Sequence, residues 1–378
     1  MGEPVDEPAD VDGHRLRRSW AQLEADVVRR GRRLRRRQRA ARIVQVVAAV
    51  AVVALAAGLQ LGRGDDTVTL SADTGPAAAR PPLEDLPPLA FARVHDGGAG
   101  GSGIFVVGAD GTGLRSLTPD PAWREGAPAW SPDGQWIAFD SQRDNPLLGL
   151  KTIMDVYVMR PDGSDVRRVT TTGKVDEGNG RHQPTWSPDS EHLALVDEEQ
   201  GSARIVTIRP DGTDAHVITD GPGDVFPAWS PDGRWIAYQR LGQEIWIVRP
   251  DGSGAHRLTT SDRPSRLSWT PDSRSVTFAD GPALVSVPVD GGARRVVAPS
   301  EPGSSAADAA WTAGGRVLAY SSDPDGPYRV EEGPAGRVPV GGVAPSSIVL
   351  AEPARPVRRT LTSPPPGDSD VNASFAPR

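Results

Sequence analysis

The chain has 378 residues with 42 basic and 49 acidic side chains, a formal net charge of −7, and no cysteine. The lack of cysteine excludes a disulfide framework, a thiolate metal site and a cysteine nucleophile. Residues 1–62 carry 12 basic and 7 acidic side chains, whereas the remaining residues carry 30 and 42. Because phosphate contacts need a basic surface, the acidic majority of the chain is not expected to bind nucleic acid.

The first predicted element is an amphipathic helix near the start of the chain. Its apolar stripe has intervals of four, three and four residues and consists of Leu16, Trp20, Leu23 and Val27. Residues 29–42 follow with nine arginines in fourteen positions. Residues 1–42 are therefore predicted to form a basic cytoplasmic segment, whose striped helix either lies on anionic lipid or docks a cytoplasmic regulatory partner.

The second predicted element is a transmembrane helix. Residues 43–61 contain no charged side chain, and nineteen residues at helical rise just cross a hydrocarbon core. The twelve preceding arginines place the N-terminus in the cytoplasm and the rest of the chain outside the membrane. A cleavable signal peptide ending near Ala56 is the alternative, but the charged leader is too long for one. Residues 43–62 are thus the predicted anchor, and the Pro- and Ala-rich residues 63–87 are a predicted linker.

A twelve-residue phrase then occurs five times, first as P-A-W-S-P-D-G-Q-W-I-A-F from Pro128. Every copy has a tryptophan at its third position, and these are Trp130, Trp186, Trp229, Trp269 and Trp311. The steps between them are 56, 43, 40 and 42 residues. A period near 40 that carries short strands is typical of a four-stranded propeller blade. We expect these tryptophans to pack between blades.

A second phrase, built around R-P-D-G, alternates with the first. It places a tight turn between two short apolar runs, as in residues 155–170, which predicts a β-hairpin. The middle runs, such as residues 136–139 and 156–159, are apolar at successive positions, as expected for strands covered on both faces. The last run of each unit is rich in arginine, which suits an exposed outer edge.

Together the two phrases resemble the WD-like β-propeller repeats of the TolB family, over residues 88–342. This resemblance implies an all-β, six-bladed propeller with four-stranded blades, predicted here for residues 88–351. Propellers of this family serve as binding platforms, as lids on peptidases and occasionally as lyases, so the resemblance leaves the function open.

The first blade lacks an innermost strand in the sequence, because residues 89–94 match a second strand and Ile104 begins the third. We expect the missing strand to come from residues 346–350, a β-prone run that would close the ring. Residues 352–378, rich in proline and serine, are predicted to be a disordered tail.

The connections of the blades indicate a working face. The tight Asp-Gly turns lie at one end of the strands, so the longer connections lie at the opposite end, where a protein or peptide partner is expected. Leu147, Leu148 and Leu150 in the longest connection are candidate contacts, although they could equally pack onto their own blade. Glu125, His182 and Asp224 precede the tryptophan strands and are expected to open onto the central channel. There they are candidates for binding a cation or a basic peptide, or they simply make the mouth of the channel polar.

Motifs of catalysis are lacking in the sequence. It contains neither G-x-S-x-G nor H-E-x-x-H, and its six histidines are scattered. We therefore predict no catalytic residue, cofactor or metal. The leading hypothesis is a membrane-anchored extracytoplasmic propeller that binds a protein or ligand; the alternatives are a transmembrane regulator of the anti-sigma kind and a metal-dependent lyase.

Overall fold

A computed structural model describes residues 86–95, 101–118, 123–144, 154–171, 180–199, 202–262, 264–298, 305–323, 330–333, 336–339, 346–353, 357–365 and 368–377. The chain divides into two compact units, Met1–Ala78 and Ala79–Arg378, and every described residue belongs to the second. The predicted cytoplasmic segment and membrane helix lie outside the described residues. Within the described ranges, no helix has the length and hydropathy needed to cross a bilayer.

The described residues form six antiparallel four-stranded sheets, which confirms the predicted all-β six-bladed propeller. Blade 1 contains β1 (Leu89–Val94), β2 (Ser102–Val107) and β3 (Arg115–Ser116). Blade 2 contains β4 (Glu125–Trp130), β5 (Ile137–Ser141), β6 (Asp155–Met159) and β7 (Arg167–Arg168). Blade 3 contains β8 (Gly180–Trp186), β9 (Leu193–Glu199), β10 (Ser202–Ile208) and β11 (His216–Val217).

The second half of the ring follows the same order. Blade 4 contains β12 (Asp224–Trp229), β13 (Ile236–Arg240), β14 (Glu244–Val248) and β15 (His256–Thr260). Blade 5 contains β16 (Ser268–Trp269), β17 (Ser275–Asp280), β18 (Ala283–Pro288) and β19 (Arg295–Ala298). Blade 6 contains β20 (Ser305–Trp311), β21 (Leu318–Asp323), β24 (Ser347–Glu352) and β25 (Val357–Thr360), and a separate hairpin, β22 (Val330–Gly333) with β23 (Gly336–Pro339), interrupts it.

The ring is closed by β26 (Ser369–Phe375), which is the innermost strand of blade 1 and pairs antiparallel with β1 from Leu89↔Phe375 to Val94↔Ser369. The predicted closing run, residues 346–350, instead belongs to β24, the third strand of blade 6. The predicted disordered tail is likewise wrong over β25 and β26. β26 was missed because innermost strands border the channel, so a polar sequence such as S-D-V-N-A-S-F can form one.

Each junction between neighbouring blades holds one apolar cluster of described residues. Strand β5 shows how successive side chains serve two junctions. Ile137 and Phe139 pack towards blade 1, whereas Ala138 packs towards blade 3. All five residues of β5 are buried, which confirms that the middle strands are covered on both faces.

The repeat tryptophans occupy these junctions as expected. Trp186 and Trp269 are core members with 5% exposure, and Trp130, Trp229 and Trp311 pack half-buried against their clusters. Phe375 of β26 takes the corresponding place between blades 6 and 1. The closing strand therefore completes the sixth junction as well as the sheet.

Candidate functional site

A cavity of about 600 Å³ lies in the centre of the ring, at the end where the innermost strands enter their S-P-D turns. Its wall includes all five repeat tryptophans. The prolines that line it come from β4, from the turns and from the segment after β26, and they are Pro128, Pro132, Pro188, Pro231, Pro271 and Pro377. Ligand pockets are concave and mainly apolar with a few polar groups, and this cavity has that composition.

A β-bulge in the innermost strands sets the depth of the cavity. Three residues before the tryptophan, or before Phe375 in blade 1, the backbone adopts positive φ in five blades, at Ala127, Gln183, Phe226, Asp308 and Asn372. The strand register shifts at each of these points. Arg266 holds the same position in blade 5, three residues before Trp269. Because a bulge redirects a side chain, Arg266 and Asp308 line the cavity from this position, and we call this level of the channel its floor.

Arg266 and Asp308 are the two charged residues that line the cavity. Asp308 Oδ1 accepts a hydrogen bond from the backbone N–H of Arg266 at 3.3 Å. Arg266 Nη1 reaches across from blade 5 to Asn372 Oδ1 of blade 1, at 3.5 Å. Burial raises the pKa of Asp308 against the opposing effect of Arg266, and burial lowers the pKa of Arg266.

On the other side of this level, Gln183 does not line the cavity and is hydrogen-bonded to neighbouring blades. Gln183 Oε1 accepts from the backbone N–H of Phe226 in the next blade at 2.9 Å. The backbone N–H of Gln183 donates in turn to Asp140 Oδ2 at 3.0 Å. These bonds join blades 2, 3 and 4 side by side, so the floor also holds neighbouring blades in register.

Acidic side chains surround the mouth of the cavity. The S-P-D and T-P-D turns present four exposed aspartates, Asp133, Asp189, Asp232 and Asp272. Each accepts a hydroxyl hydrogen bond from the first residue of its own turn, at 2.5–2.7 Å. These hydroxyls lower the pKa of Asp189 and Asp272, so both carboxylates stay ionised at neutral pH.

The indole N–H groups of the repeat tryptophans differ between blades. Trp186 Nε1 donates to Ala129 O of the preceding blade at 3.0 Å, and Trp269 Nε1 donates to Ala228 O at 2.9 Å. Trp311 Nε1 donates to Thr277 Oγ1 at 3.1 Å. The Nε1 atoms of Trp130 and Trp229 are buried without an acceptor among the described residues.

Comparison with known proteins agrees with this geometry. Residues 85–263 match the family model of the TolB beta-propeller domain. The repeats within this matched range are TolB-like β-propeller repeats. A solved structure of TolB from Acinetobacter baumannii matches with a TM-score of 0.58 at 14% identity, over 77% of this chain and 67% of that one. At this identity the match establishes the fold alone.

Two curated relatives of the TolB-like propeller match over shorter stretches. An uncharacterized protein of Agrobacterium fabrum is 31% identical over 137 residues, which is 35% of this chain. The uncharacterized peptidase YuxL of Bacillus subtilis is 26% identical over 148 residues, which is 29% of this chain. The matched parts span 41% and 21% of the lengths of these relatives.

Two of the residues predicted to open onto the channel, Glu125 and Asp224, are buried inside their blades instead. Glu125 and Asp224 are 1% and 0% exposed and do not line the cavity. Glu125 Oε1 accepts from Arg143 Nη2 at 2.5 Å, and Asp224 pairs with Arg240. The expectation that they open onto the channel is wrong, because each neutralises an arginine beside the second strand of its own blade.

His182 is half-buried in β8, and its Nε2 lies 3.6 Å from a carboxylate oxygen of Glu198. Its neighbour Arg181, rather than His182, occupies the repeat position of Glu125 and Asp224, and it pairs with Asp197 at 2.8 Å. In blade 3 the arginine of the pair therefore lies on the first strand and the aspartate on the second, the reverse of blade 4.

The remaining predicted contacts lie outside the described residues. Leu147, Leu148 and Leu150 fall in the undescribed connection of blade 2, and the stripe around Trp20 falls in the undescribed first unit. These contacts stay predictions.

One group of potential metal ligands occurs among the described residues, at the turn of blade 3. Ligand atoms of Asp189, Glu191 and His192 lie within 4.8 Å of one another. Asp189 is already bonded to Ser187, and His192 Nε2 lies 3.7 Å from Asp214. Exposed acidic groups of this kind are common on turns, and we assign no ion to them.

The floor residues were missed from the sequence, although a signal for them exists. Aligning the repeats on their tryptophans shows that the position three residues earlier ranges from alanine to arginine, whereas the positions beside it are mostly small. Variation at one fixed repeat position indicates a residue that faces open space rather than a neighbouring blade.

Proposed function

We propose that this TolB-like propeller is a non-catalytic platform that binds a protein partner at the central cavity, on the side of the Asp-Gly turns. The observation that carries the proposal is the cavity itself, a tryptophan- and proline-lined recess with Arg266 and Asp308 at its floor. Aromatic side chains around a few convergent polar groups are what a binding recess needs. Asp308 accepts from the backbone N–H of Arg266, Arg266 donates to Asn372 Oδ1, and neither is paired with a nucleophile among the described residues.

The opposite face remains a rival position for the partner. Its support comes from the sequence alone, through Leu147, Leu148 and Leu150. The turn-side cavity has the stronger support, because its walls, floor and rim consist of described side chains in fixed contacts.

The location in the cell is part of the same proposal. Residues 43–62 anchor the chain, residues 1–42 stay in the cytoplasm, and the propeller stands outside the cell membrane. The uncharged nineteen-residue run, the twelve preceding arginines and the net negative charge beyond residue 62 support this topology.

The test compares the two faces in one capture experiment. A soluble fragment of residues 79–378, which retains β26, is immobilised and exposed to cell-envelope proteins of the source organism. Ala310→Trp fills the cavity with an indole, and a second variant replaces Leu147, Leu148 and Leu150 with serine. We expect Ala310→Trp to reduce the captured partner about tenfold or more, as loss of a central contact does.

Unchanged melting temperatures confirm that both variants fold. If the serine variant loses the partner and Ala310→Trp keeps it, the partner binds the long connections instead. If the unmodified fragment captures nothing reproducibly, the platform function itself is wrong.

A second candidate function is a transmembrane regulator, favoured by the apolar stripe that includes Leu16, Trp20, Leu23 and Val27 beside an arginine-rich segment. In that case residues 1–42 bind a cytoplasmic protein such as a sigma factor. A two-hybrid screen with residues 1–42 tests it, with Trp20→Glu as the control. A partner that is lost with Trp20→Glu supports the regulator, whereas binding of anionic vesicles alone supports a lipid-facing helix.

A further inference from the structure

Among the described residues, Arg266 at the bottom of the cavity has no ion-pair partner. Its guanidinium offers five N–H donors, yet within the described part of the chain its only side-chain hydrogen bond is the 3.5 Å contact with Asn372 Oδ1. No described carboxylate oxygen lies within ion-pair distance of it. By contrast, Arg93 and Arg240 each make two hydrogen bonds to one buried aspartate.

The two nearest acids do not take up these donors. Asp308 accepts from backbone N–H groups, including that of Arg266 itself, and Asp140 accepts from the backbone of Gln183. They stabilise the charge of Arg266 only through space. Arg266 is half-buried, and a cation withdrawn from water is costly unless hydrogen bonds and an opposite charge satisfy it. A carboxylate from outside would supply both in a two-pronged contact with the guanidinium.

The shape of the channel favours binding of a polypeptide terminus rather than a loop of the partner. Arg266 crosses from blade 5 to blade 1, and the bonds of Gln183 join blades 2, 3 and 4 at the same level. These contacts lie on the innermost strands away from the turns, so a ligand that reaches Arg266 enters from the turn side. A polypeptide terminus fills a recess of this kind with one strand, whereas a loop must enter and leave through the same mouth.

Charge at the mouth adds a second requirement. A bare anion would be repelled by the rim aspartates Asp133, Asp189, Asp232 and Asp272. A peptide with basic side chains upstream of its terminal carboxylate would be attracted twice. Its basic side chains would face the rim aspartates, and its carboxylate would face Arg266. The tryptophans along the wall can also stack with such cations.

We propose that Arg266 is the anchor of a subsite for the free C-terminal carboxylate of the partner polypeptide, with basic residues of that polypeptide at the aspartate rim. The proposal rests on the proposed function, because it specifies how the partner enters the cavity. It names the carboxyl terminus as the group that the propeller recognises.

The experiment uses the full chain in detergent micelles and two displayed libraries of random octapeptides. One library ends in a free C-terminus, and the other is attached through its C-terminus. Peptides selected from the first are synthesised as free acids and as C-terminal amides, and their affinities are measured by fluorescence anisotropy. We expect binders from the free-acid library, enriched in Lys and Arg, with amidation weakening them about tenfold or more, as the loss of a charge-assisted contact predicts.

Arg266→Gln should weaken the free acid about as much as amidation does and leave the amide unaffected, since the two changes remove the same contact. Arg274→Gln, an exposed arginine in the turn of blade 5, is the matched control and should change neither affinity. Arg266→Lys should give an intermediate loss, because it keeps the charge without the planar fork.

The outcomes separate this proposal from the proposed function. Peptides that bind equally well as amides, or that bind Arg266→Gln unchanged, overturn the carboxylate subsite and leave the binding platform standing. If neither library yields a binder that Ala310→Trp abolishes, both the subsite and the cavity as a binding site are wrong.

Discussion

Asp224 is fully buried, and its two carboxylate oxygens accept hydrogen bonds from Nε and Nη2 of Arg240, at 2.7 and 2.9 Å. Arg240 also lies over the rings of Tyr238 and Trp246. The pair thus joins the first strand of blade 4 to its second and covers an aromatic stack. Asp370 and Arg93 repeat the arrangement in blade 1.

Removing one partner of this buried pair should lower the free energy of unfolding far more than removing one partner of an exposed ion pair. Asp224→Asn leaves the Arg240 cation unpaired, and we expect a loss of about 3 kcal/mol, the low end for a buried pair because Arg240 keeps 19% of its side chain exposed. Asp165→Asn is the control, since its pair with Arg167 is exposed and should leave the melting temperature nearly unchanged. Chemical denaturation measures both. Equal effects would show that the pair does not stabilise the blade.

Glu125 should give the propeller a pH-dependent stability of known sign. Burial raises the pKa of Glu125 above its usual 4.5, so the folded state holds this proton more tightly than the unfolded state does. The stabilisation is complete below pH 4.5 and disappears as the pH rises through the raised pKa. The melting temperature of the wild type relative to Glu125→Gln should therefore fall between pH 4 and pH 7. A rise over that interval would mean that the contact with Arg143 outweighs burial.

The indole hydrogen bonds predict a difference between two tryptophans at the same repeat position. Trp269→Phe leaves Ala228 O without its donor, whereas Trp229→Phe removes an N–H that has no acceptor in the described structure. We expect Trp269→Phe to cost about 1 kcal/mol more in unfolding free energy. Truncation of the buried Trp269 to alanine should cost about 3–5 kcal/mol. Equal costs for the two phenylalanine variants would contradict the assigned hydrogen bond.

The closing strand should be indispensable. A stop codon after Asp368 removes β26, and with it the pairing partner of β1, the Arg93–Asp370 pair and the Phe375 contact. We expect the shortened protein to lose its cooperative thermal transition and to aggregate on size-exclusion chromatography. A stop codon after Pro377 keeps β26 and serves as the control. A sharp transition without β26 would show that a blade 1 of three strands suffices.

The topology has a direct test in the living cell. An alkaline phosphatase reporter fused after Leu70 should be active, and a tag at the N-terminus should remain on the mature protein. Both results follow if residues 43–62 are an uncleaved anchor. Recovery of a mature protein without residues 1–56 would establish a cleaved signal peptide instead.

The sequence was sufficient to predict the blades because each repeat unit is formed by residues that are close together along the chain. Each S-P-D-G turn lies between two strands of one sheet, so spacing alone identified the strands. The successive apolar positions of residues 136–139 predicted correctly that both faces of a middle strand are covered. The order along the chain is also the order around the ring, apart from β26. Local patterns could therefore predict most of the fold.

The closure and the site could not be predicted in the same way, because they depend on contacts between distant residues. Blade 6 lacks the R-P-D-G turn after its third strand and carries the β22–β23 hairpin before that strand. Counting turns along the sequence therefore assigned the residues of β24 to blade 1 instead of blade 6. Glu125 and Asp224 look like channel residues until Arg143 and Arg240 are seen beside them. Arg266 and Asp308 belong to different blades, and only the ring brings them together.

The position of β26 has a consequence for biosynthesis. Arg93 and Asp370 are 277 positions apart, so the ribosome must finish nearly the whole propeller before blade 1 can acquire its innermost strand. Until then β1 presents an unpaired edge, and the junction between blades 6 and 1 is open. If the chain is exported as it is made, the incomplete ring waits on the outer side of the membrane. Assembly factors or a fast final stage of translation would protect that edge, and slowing synthesis just before residue 369 should increase aggregation of the wild-type chain.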